Sequence, residues 1–411
     1  MVKTRRQLQE EEMMRRSKIA ILTTDYVSNE ITTEILSRVP VEDLLRFKCA
    51  CKCWNTLLKD PFFIKLHLHQ HIRNNNSFLI YNCTGKIYSV DYDILSLSFN
   101  LNRAVMVNCP IQLKPKSEDF TIYGSCNGIL LIGVLNRFTD EYKRICLWNP
   151  STRECKNLCP PLAREHNDYS SLVYCLGYDI STDDYKVIRY RYDESHCKIS
   201  DVCVYSMRSN SWKRIQDVPY NIYNADGVID GSFNGRYGML LNGVIHWLGM
   251  YASVTSYSQR IVSFDLAKDE FSDLQLRGIV RETGSRIWKQ LGVFEECLCI
   301  YLVNKKNNKI DLFMMKEYGV EESWTKMFTI SDQLIQNMLN FQVICITQDR
   351  KVLVQWNNND GDLFNNDLAL HDPKHGWCKC GDIKIQGLPK RFWRSGIVTY
   401  VKSLVTINLI E

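Results

Sequence analysis

Residues 176–190 read LGYDISTDDYKVIRY and residues 204–212 read VYSMRSNSW. In each, two apolar runs flank a short cluster of Asp, Ser, Thr, Arg or Asn, the composition of a tight turn between antiparallel strands. Two such hairpins in succession make a four-stranded blade. The first hairpin recurs as YGSCNGILLIG (123–133), MLLNGVIHWLG (239–249), GVFEECLCIYLV (292–303), VICITQDRKVLVQW (343–356) and IVTYVKSLVTI (397–407). Its centres at Asn127, Thr182, Asn242, Glu296, Asp349 and Lys402 are 55, 60, 54, 53 and 53 residues apart. A period of roughly 50–60 residues is the signature of radially repeated blades.

The second hairpin follows each of the first five repeats, as LWNPSTREC, VYSMRSNSW, SFDLAKDEF, LFMMKEYGVEESW and LALHDPKHGW. Its aromatic anchors Trp212, Phe271, Trp324 and Trp377 are 59, 53 and 53 residues apart, the same period seen independently. The sixth repeat has no second hairpin after it. FLIYNCTGKIYSV (78–90) is expected to supply one, closing a ring through the two chain ends. The expectation for 76–411 is an all-β, propeller-like domain of six blades, with seven as the alternative count. A pair of β-sandwiches with coincidental spacing is the rival architecture.

The preceding residues change period. Ile31, Ile35 and Leu36 share one face of a predicted helix over 29–39, capped by Ser28, started by Glu30 and stopped by Pro40. A second helix starts at Val41 and carries Leu44, Leu45 and Phe47. A third holds Trp54, Leu57 and Leu58 and ends before Pro61, and a fourth runs from Phe62 towards His71. Four short helices enclose little core, so this small all-α unit (25–73) needs a partner over its remaining apolar surface. Residues 1–24 read as a mobile charged tail, with nuclear import as a secondary reading of its Arg pairs.

Apolar residues make up 45% and charged residues 24% of the chain, with a net charge of +5. Residues 1–75 hold 13 Lys/Arg and 9 Asp/Glu, so no concentrated basic stripe argues for nucleic acid. The first apolar run, Ile19–Leu22, is too short for a signal-peptide core, and no stretch approaches the ~18 apolar residues of a membrane span. The expectation is a chain of the cytoplasm, the nucleus or both, whose 17 cysteines are reduced and mostly packed as small hydrophobes.

No catalytic constellation emerges. His67, His69 and His71 alternate along a helix, where residues two apart do not face one another. The Cys51/Cys53, Cys297/Cys299 and Cys378/Cys380 pairs lack zinc-ligand spacing. Phosphate-cradling glycine loops and a Gly-x-Ser-x-Gly elbow are absent. No metal and no cofactor are therefore expected. A propeller enzyme built around an axial cofactor is the rival reading, against which the eight His residues fall without repeat phase.

Within a blade the A–B and C–D turns share one end, and the B–C and inter-blade connections share the other. The tight turns fall at the first end. The long segments 160–171, 219–236, 252–259, 277–289, 331–341 and 357–366 fall at the second. Binding residues concentrate on loops held by a rigid scaffold, and aromatic residues and Arg dominate interface hot spots. The candidates for binding a target there are Arg164, His166, Tyr169, Tyr223, Tyr251, Tyr257, Trp288, Arg391 and Trp393. The two Trp could equally pack between blades.

Residues 31–68, ITTEILSRVPVEDLLRFKCACKCWNTLLKDPFFIKLHL, resemble an F-box of the plant type. YGSCNGILLI, LWNPSTRE, LGYDISTDDYKVIR, VYSMRSNSWKRI, NGVIHWL, IVSFDLAKDEF and MMKEYGVEESWTK resemble the F-box-associated (kelch-type) domain of the same proteins. The likeness is nearest to F-box/kelch-repeat members that restrain defence signalling; pollen S-locus F-box proteins share these motifs. It implies a non-catalytic, substrate-selecting subunit that assembles with a Skp-type adaptor, a cullin and a RING protein. On that reading Val27, Ile31, Ile35, Leu36, Pro40, Leu44 and Leu45 face the adaptor, unless several fill the unit's own core. Family members place Leu-Pro where this chain has Val27–Ser28, which removes one apolar contact. A scaffold acting outside the ligase is the remaining alternative.

Overall fold

The computed structural model describes residues 28–73, 77–83, 86–91, 104–114, 117–136, 142–161, 170–193, 198–215, 220–221, 238–252, 257–276, 279, 287–333, 335, 338–346, 350–358, 366–374, 376–378 and 397–407. Helices α1 (Asn29–Leu36), α2 (Val41–Phe47), α3 (Lys52–Leu57) and α4 (Pro61–Arg73) open the chain. Ser28 caps α1 by accepting from the Ile31 amide at 3.3 Å, as its sequence position predicts. The carboxylate of Asp60 does the same for α4, accepting from Phe62 at 2.7 Å and Phe63 at 3.1 Å.

The strands that follow form six sheets among the described residues. Sheet I holds β4 (Glu118–Cys126), β5 (Ile129–Asn136), β6 (Tyr142–Asn149) and β7 (Glu154–Leu158). Sheet II holds β8 (Ser170–Asp179), β9 (Asp184–Asp193), β10 (Lys198–Ser206) and β11 (Ser211–Arg214). Sheet III holds β12 (Tyr220–Asn221), β13 (Met239–Leu241), β14 (Val244–Ala252), β15 (Tyr257–Asp265) and β16 (Glu270–Gln275). Sheet IV holds β17 (Ile287–Phe294), β18 (Cys297–Asn304), β19 (Lys309–Met315) and β20 (Trp324–Ser331). Sheet V holds β21 (Met338–Ile346), β22 (Val352–Asn358), β23 (Asn366–Asp372) and β24 (Gly376–Cys378). The closing sheet is ordered β25 (Ile397–Val401), β1 (Ser77–Cys83), β2 (Lys86–Asp91), β3 (Val105–Val107).

Neighbouring sheets meet in sequence, and the last inner strand, β21, lies beside β25, which lies beside β4, so the ring is continuous. Aliphatic clusters fill the wedges. Val173, Ile188 and Tyr190 of sheet II pack on Trp247 and Phe264 of sheet III, and Tyr301 and Leu312 of sheet IV pack with Val343 and Val354 of sheet V. The turn residues explain the tight hairpins. Asn127–Gly128 and Asn242–Gly243 all have positive φ (52°, 86°, 50° and 77°), the type I′ geometry that Asn-Gly favours.

Two expectations need correction. The pattern on both sides of Lys402 predicts two strands, but only Ile397–Val401 joins the sheet, and β1, β2 and β3 complete it. The ends of the chain do meet, with Phe78 opposite Tyr400 and Ile80 opposite Val398. Residues 219–236 are also more than an inter-blade loop. Tyr220–Asn221 pairs with the far end of β14 while Met239–Leu241 pairs with its near end, so the innermost position of sheet III is shared by two segments.

Released from the sheet, residues 402–407 cross sheet I. The Asn149 carboxamide donates to the Ser403 carbonyl at 3.2 Å and the Val405 carbonyl at 2.7 Å, while its oxygen accepts from the Ser151 amide at 2.9 Å. Glu154 accepts from the Ile407 amide at 2.6 Å. Gly128 makes the crossing possible, because a Cβ there would lie 2.1 Å from Ser403 Oγ and 2.7 Å from the Val401 carbonyl. Leu404, Val405 and Ile407 turn into a core shared with Leu36, Val41, Leu44, Phe63 and Leu68 of the helices and with Tyr123, Leu147 and Tyr185 of sheets I and II. Glu42 pairs with Lys402 at 2.5 Å and Lys65 with Asp183 at 2.6 Å. The helical unit thus sits on the end of the ring that carries the A–B and C–D turns.

His67 lies at this junction, fully buried, donating through Nε2 to the Val39 carbonyl at 2.9 Å and stacked on His71 with ring centroids 4.1 Å apart. Burial pushes its pKa down from 6.5 to about 4. The unfolded chain therefore takes up the proton first as pH falls, and stability held above pH 6.5 is lost between 6.5 and about 4. A shift of this size corresponds to ~3 kcal/mol. Denaturant titrations should show the wild-type midpoint falling across that window and His67→Gln falling less steeply; equal slopes would contradict the assignment. Deleting residues 397–411 should open the ring and leave two unpaired edges, each a template for association. Light scattering should then report oligomers, and a monomer with unchanged melting would overturn closure through the chain ends.

Candidate protein-docking surfaces

The sequence places seven adaptor-facing residues in and before α1 and α2, and the structure separates them. Ile31 and Ile35 are 55% and 56% exposed although both are large and aliphatic. Pro40 is exposed and Leu45 half-buried. Leu36 and Leu44 are only 4% and 0% exposed and belong to the core under the helices, so they support the surface from beneath and offer it no contact area. The reason is geometric: i and i+4 repeats put Ile31 and Ile35 on one stripe, while Leu36 lies a further 100° round the helix, over the ring. Val27 lies outside the described residues. The sequence does not single out Phe62, in the first turn of α4, which is also large, apolar and 73% exposed. Its signal was present, since an aromatic after an N-terminal Pro precedes the buried Phe63–Ile64 pair. Salt bridges Glu34–Arg38 and Asp43–Arg46 rim the same helices and are largely solvated.

At the opposite end of the ring the described residues show how connections are anchored. Arg189, almost wholly buried, donates to Asp201 Oδ2 at 2.9 Å and to the Pro161 carbonyl. Arg214 meets Asp201 Oδ1 at 2.5 Å. Removing one partner from such a buried set leaves an uncompensated charge, a cost of about 3–5 kcal/mol. Of the nine predicted target-facing residues, Arg164, His166, Tyr169, Tyr223, Arg391 and Trp393 lie outside the described residues. Tyr257 and Trp288, expected within the segments 252–259 and 277–289, occupy strands, as does Tyr251 just before the first of these. Tyr251 pairs with Ser258 near the end of β14, Tyr257 opens β15 opposite Ala252, and Trp288 pairs with Val303. The B–C connection of sheet III is accordingly only 253–256, shorter than its sequence suggested.

The turn end is not uniformly tight. Between β19 and β20 the chain makes a longer excursion with a 3-10 turn at Glu321–Ser323. It reaches over sheet III, where Tyr318 donates to His246 Nε2 at 2.7 Å and Glu321 accepts from the Gln275 amide at 3.0 Å. His246 donates through Nδ1 to the Met239 carbonyl at 3.1 Å, and burial lowers its pKa from 6.5 to about 4. It is a satisfied structural histidine. Among the described residues no group of three or more His, Cys, Asp or Glu could hold a metal ion, and no helix is long and apolar enough to cross a membrane.

Comparison with known proteins agrees with this architecture. Residues 27–66 match the F-box domain family and residues 53–407 match the F-box associated beta propeller domain family. F-box protein CPR1 of Arabidopsis thaliana is 32% identical over 347 residues, 80% of this chain and 79% of that protein. F-box/kelch-repeat protein At3g23880 of the same plant is 28% identical over 305 residues, 73% of this chain and 78% of that protein. An F-box protein of this kind joins a helical adaptor-binding module to a propeller. The chain belongs to the F-box proteins that carry an F-box associated β-propeller domain.

Proposed function

We propose that the chain is the substrate-recognition subunit of an SCF-type ubiquitin ligase. It binds a Skp-type adaptor through Ile31, Ile35, Pro40, Leu45 and Phe62 and holds a protein target on the long-loop end of the propeller. The carrying observation is the exposure of large apolar side chains on an F-box whose other face is fixed to the turn end of the ring. That attachment occupies part of the turn end and leaves the long-loop end facing away from it. The cullin and RING subunits supply the transfer chemistry, and this chain contributes proximity: a target held near the charged ubiquitin carrier experiences a raised effective concentration. The chain acts in the cytoplasm, the nucleus or both. Its similarity to F-box/kelch-repeat relatives favours a target in plant defence; an S-ribonuclease is the second reading, supported by the motifs shared with S-locus F-box proteins.

Aspartate at Ile31 and Ile35 should weaken adaptor capture at least 30-fold, the equivalent of about 2 kcal/mol, with unchanged melting. Leu44→Ala should instead lower the melting temperature, since truncating a buried Leu costs about 2–5 kcal/mol. Adaptor capture undiminished by the double aspartate variant would remove the docking assignment. Exchanging segments 219–236 and 277–289 for those of a relative should redirect target degradation while adaptor capture stays constant. Control of target choice by Asn149–Arg153, Asn242, Gly243 or Lys268 would place recognition on the other end.

A further inference from the structure

The repeat places an aromatic anchor on the outermost strand of the blades, directly opposite a bulky residue of the strand before it: Trp212 opposite Tyr205, Phe271 opposite Phe264, Trp324 opposite Met315 and Trp377 opposite His371. Sheet I breaks the pattern. The residue opposite Trp148 is Cys155. Cys146, two residues before Trp148, pairs with Asn157, two residues beyond Cys155, so both sulfurs lie on the same face of the β6–β7 ladder. Cys146 is fully buried, and Cys155 is half-buried at the edge of the same core, which Cys109 also touches.

We propose that Cys155 and Cys146 are a peroxide-sensitive dithiol, with Cys155 the attacking sulfur and Cys146 the resolving one. The single thiol hydrogen of Cys146 has two acceptors, Asn157 Oδ1 at 3.0 Å and the sulfur of Cys155. When Cys155 ionises, the hydrogen turns to it. That bond from Cys146 holds the Cys155 thiol below its ordinary range, while the same bond and burial push the Cys146 thiol up. A thiolate favoured at a partly exposed position beside a second, protonated thiol is the arrangement of redox-responsive cysteines.

The chemistry balances with a hydroperoxide as oxidant. The Cys155 thiolate attacks the terminal peroxide oxygen, the O–O bond breaks, and the departing alkoxide or hydroxide takes a proton from water. Cys155 is left as a sulfenic acid. The Cys146 sulfur then attacks the Cys155 sulfur, the S–O bond breaks, and water leaves carrying the Cys146 proton. Two electrons pass from the sulfur pair to the peroxide. Diagonal positions on an antiparallel pair lie roughly 7–8 Å apart at Cα, beyond the usual ~4.4–6.8 Å of a disulfide. Closure therefore draws the edge strand β7 inward and yields a strained bond that thiols reduce readily. Glu154, adjoining Cys155, holds the Ile407 amide, so this movement bears directly on the C-terminal crossing.

The experiment needs no knowledge of the target or adaptor. The full chain is treated with graded hydrogen peroxide, quenched with N-ethylmaleimide and peptide-mapped. A Cys146–Cys155 disulfide should appear before exposed Cys159 is modified, and dithiothreitol should reverse it. In Cys146→Ser, dimedone should trap Cys155 as the sulfenic acid. Oxidation of Cys159 ahead of Cys155 would overturn the proposal, and a Cys109–Cys155 bridge would overturn Cys146 as the resolving thiol. Because the wild-type time course alone decides the order of oxidation, a poorly folding variant leaves the test intact.

Discussion

One buried carboxamide holds the molecule's two parts in register. Asn149 ends β6 and spends both amide hydrogens and its oxygen on backbone groups, two of them on a segment more than 250 residues away. The two bonds to the Ser403 and Val405 carbonyls are buried, and an orphaned buried carbonyl costs about 1–3 kcal/mol. Asn149 thereby fixes residues 403–405 at one place on sheet I, and Tyr400 reinforces the seat through Ser151 at 2.7 Å. Everything beyond depends on that placement. Leu404, Val405 and Ile407 can fill the core beneath the F-box only if the chain leaves the closing sheet at Val401 and turns across Gly128. The F-box is consequently continuous with the propeller's hydrophobic interior, and the hydrogen bonds at the crossing determine how it is oriented.

The same constraint explains the division of labour among the apolar residues of the F-box. A unit of four short helices has too little interior to bury every large side chain. Leu36, Val41, Leu44 and Phe63 are covered by the crossing segment and the turns of sheets I and II. Ile31, Ile35 and Phe62 stay exposed among the described residues. The helices therefore have one apolar face engaged within the chain and another left exposed.

The repeat was legible because each blade repeats the same local physics: period-2 alternation, positive-φ turn residues and an aromatic opposite a bulky neighbour. Asn127, Asn242, Trp212 and Phe271 could be placed from spacing alone. The C-terminal crossing was not legible, for IVTYVKSLVTI satisfies the strand pattern on both sides of Lys402. Only the competition for Asn149, which sequence separation conceals, pulls the second half out of the sheet. Likewise Leu36 and Ile35 are adjacent and equally apolar; which one is covered depends on a segment at the far end of the chain. Tyr257 and Trp288 fall in segments that read as long connections, but cross-strand pairing extends β15 and β17 into them and carries β14 through Tyr251 to Ala252.

The order in which the parts are synthesised gives the crossing segment a second significance. The helices leave the ribosome long before Leu404, Val405 and Ile407, which complete the cover of their inner face. At ~5–20 residues per second the helices spend tens of seconds with the cover over Leu36, Leu44 and Phe63 incomplete, a state open to chaperone capture. A chain released before Val405 and Ile407 keeps part of that inner face open. Synthesis through Ile407 is thus a condition of the helices' final packing, and shorter chains are marked by the apolar surface they cannot hide.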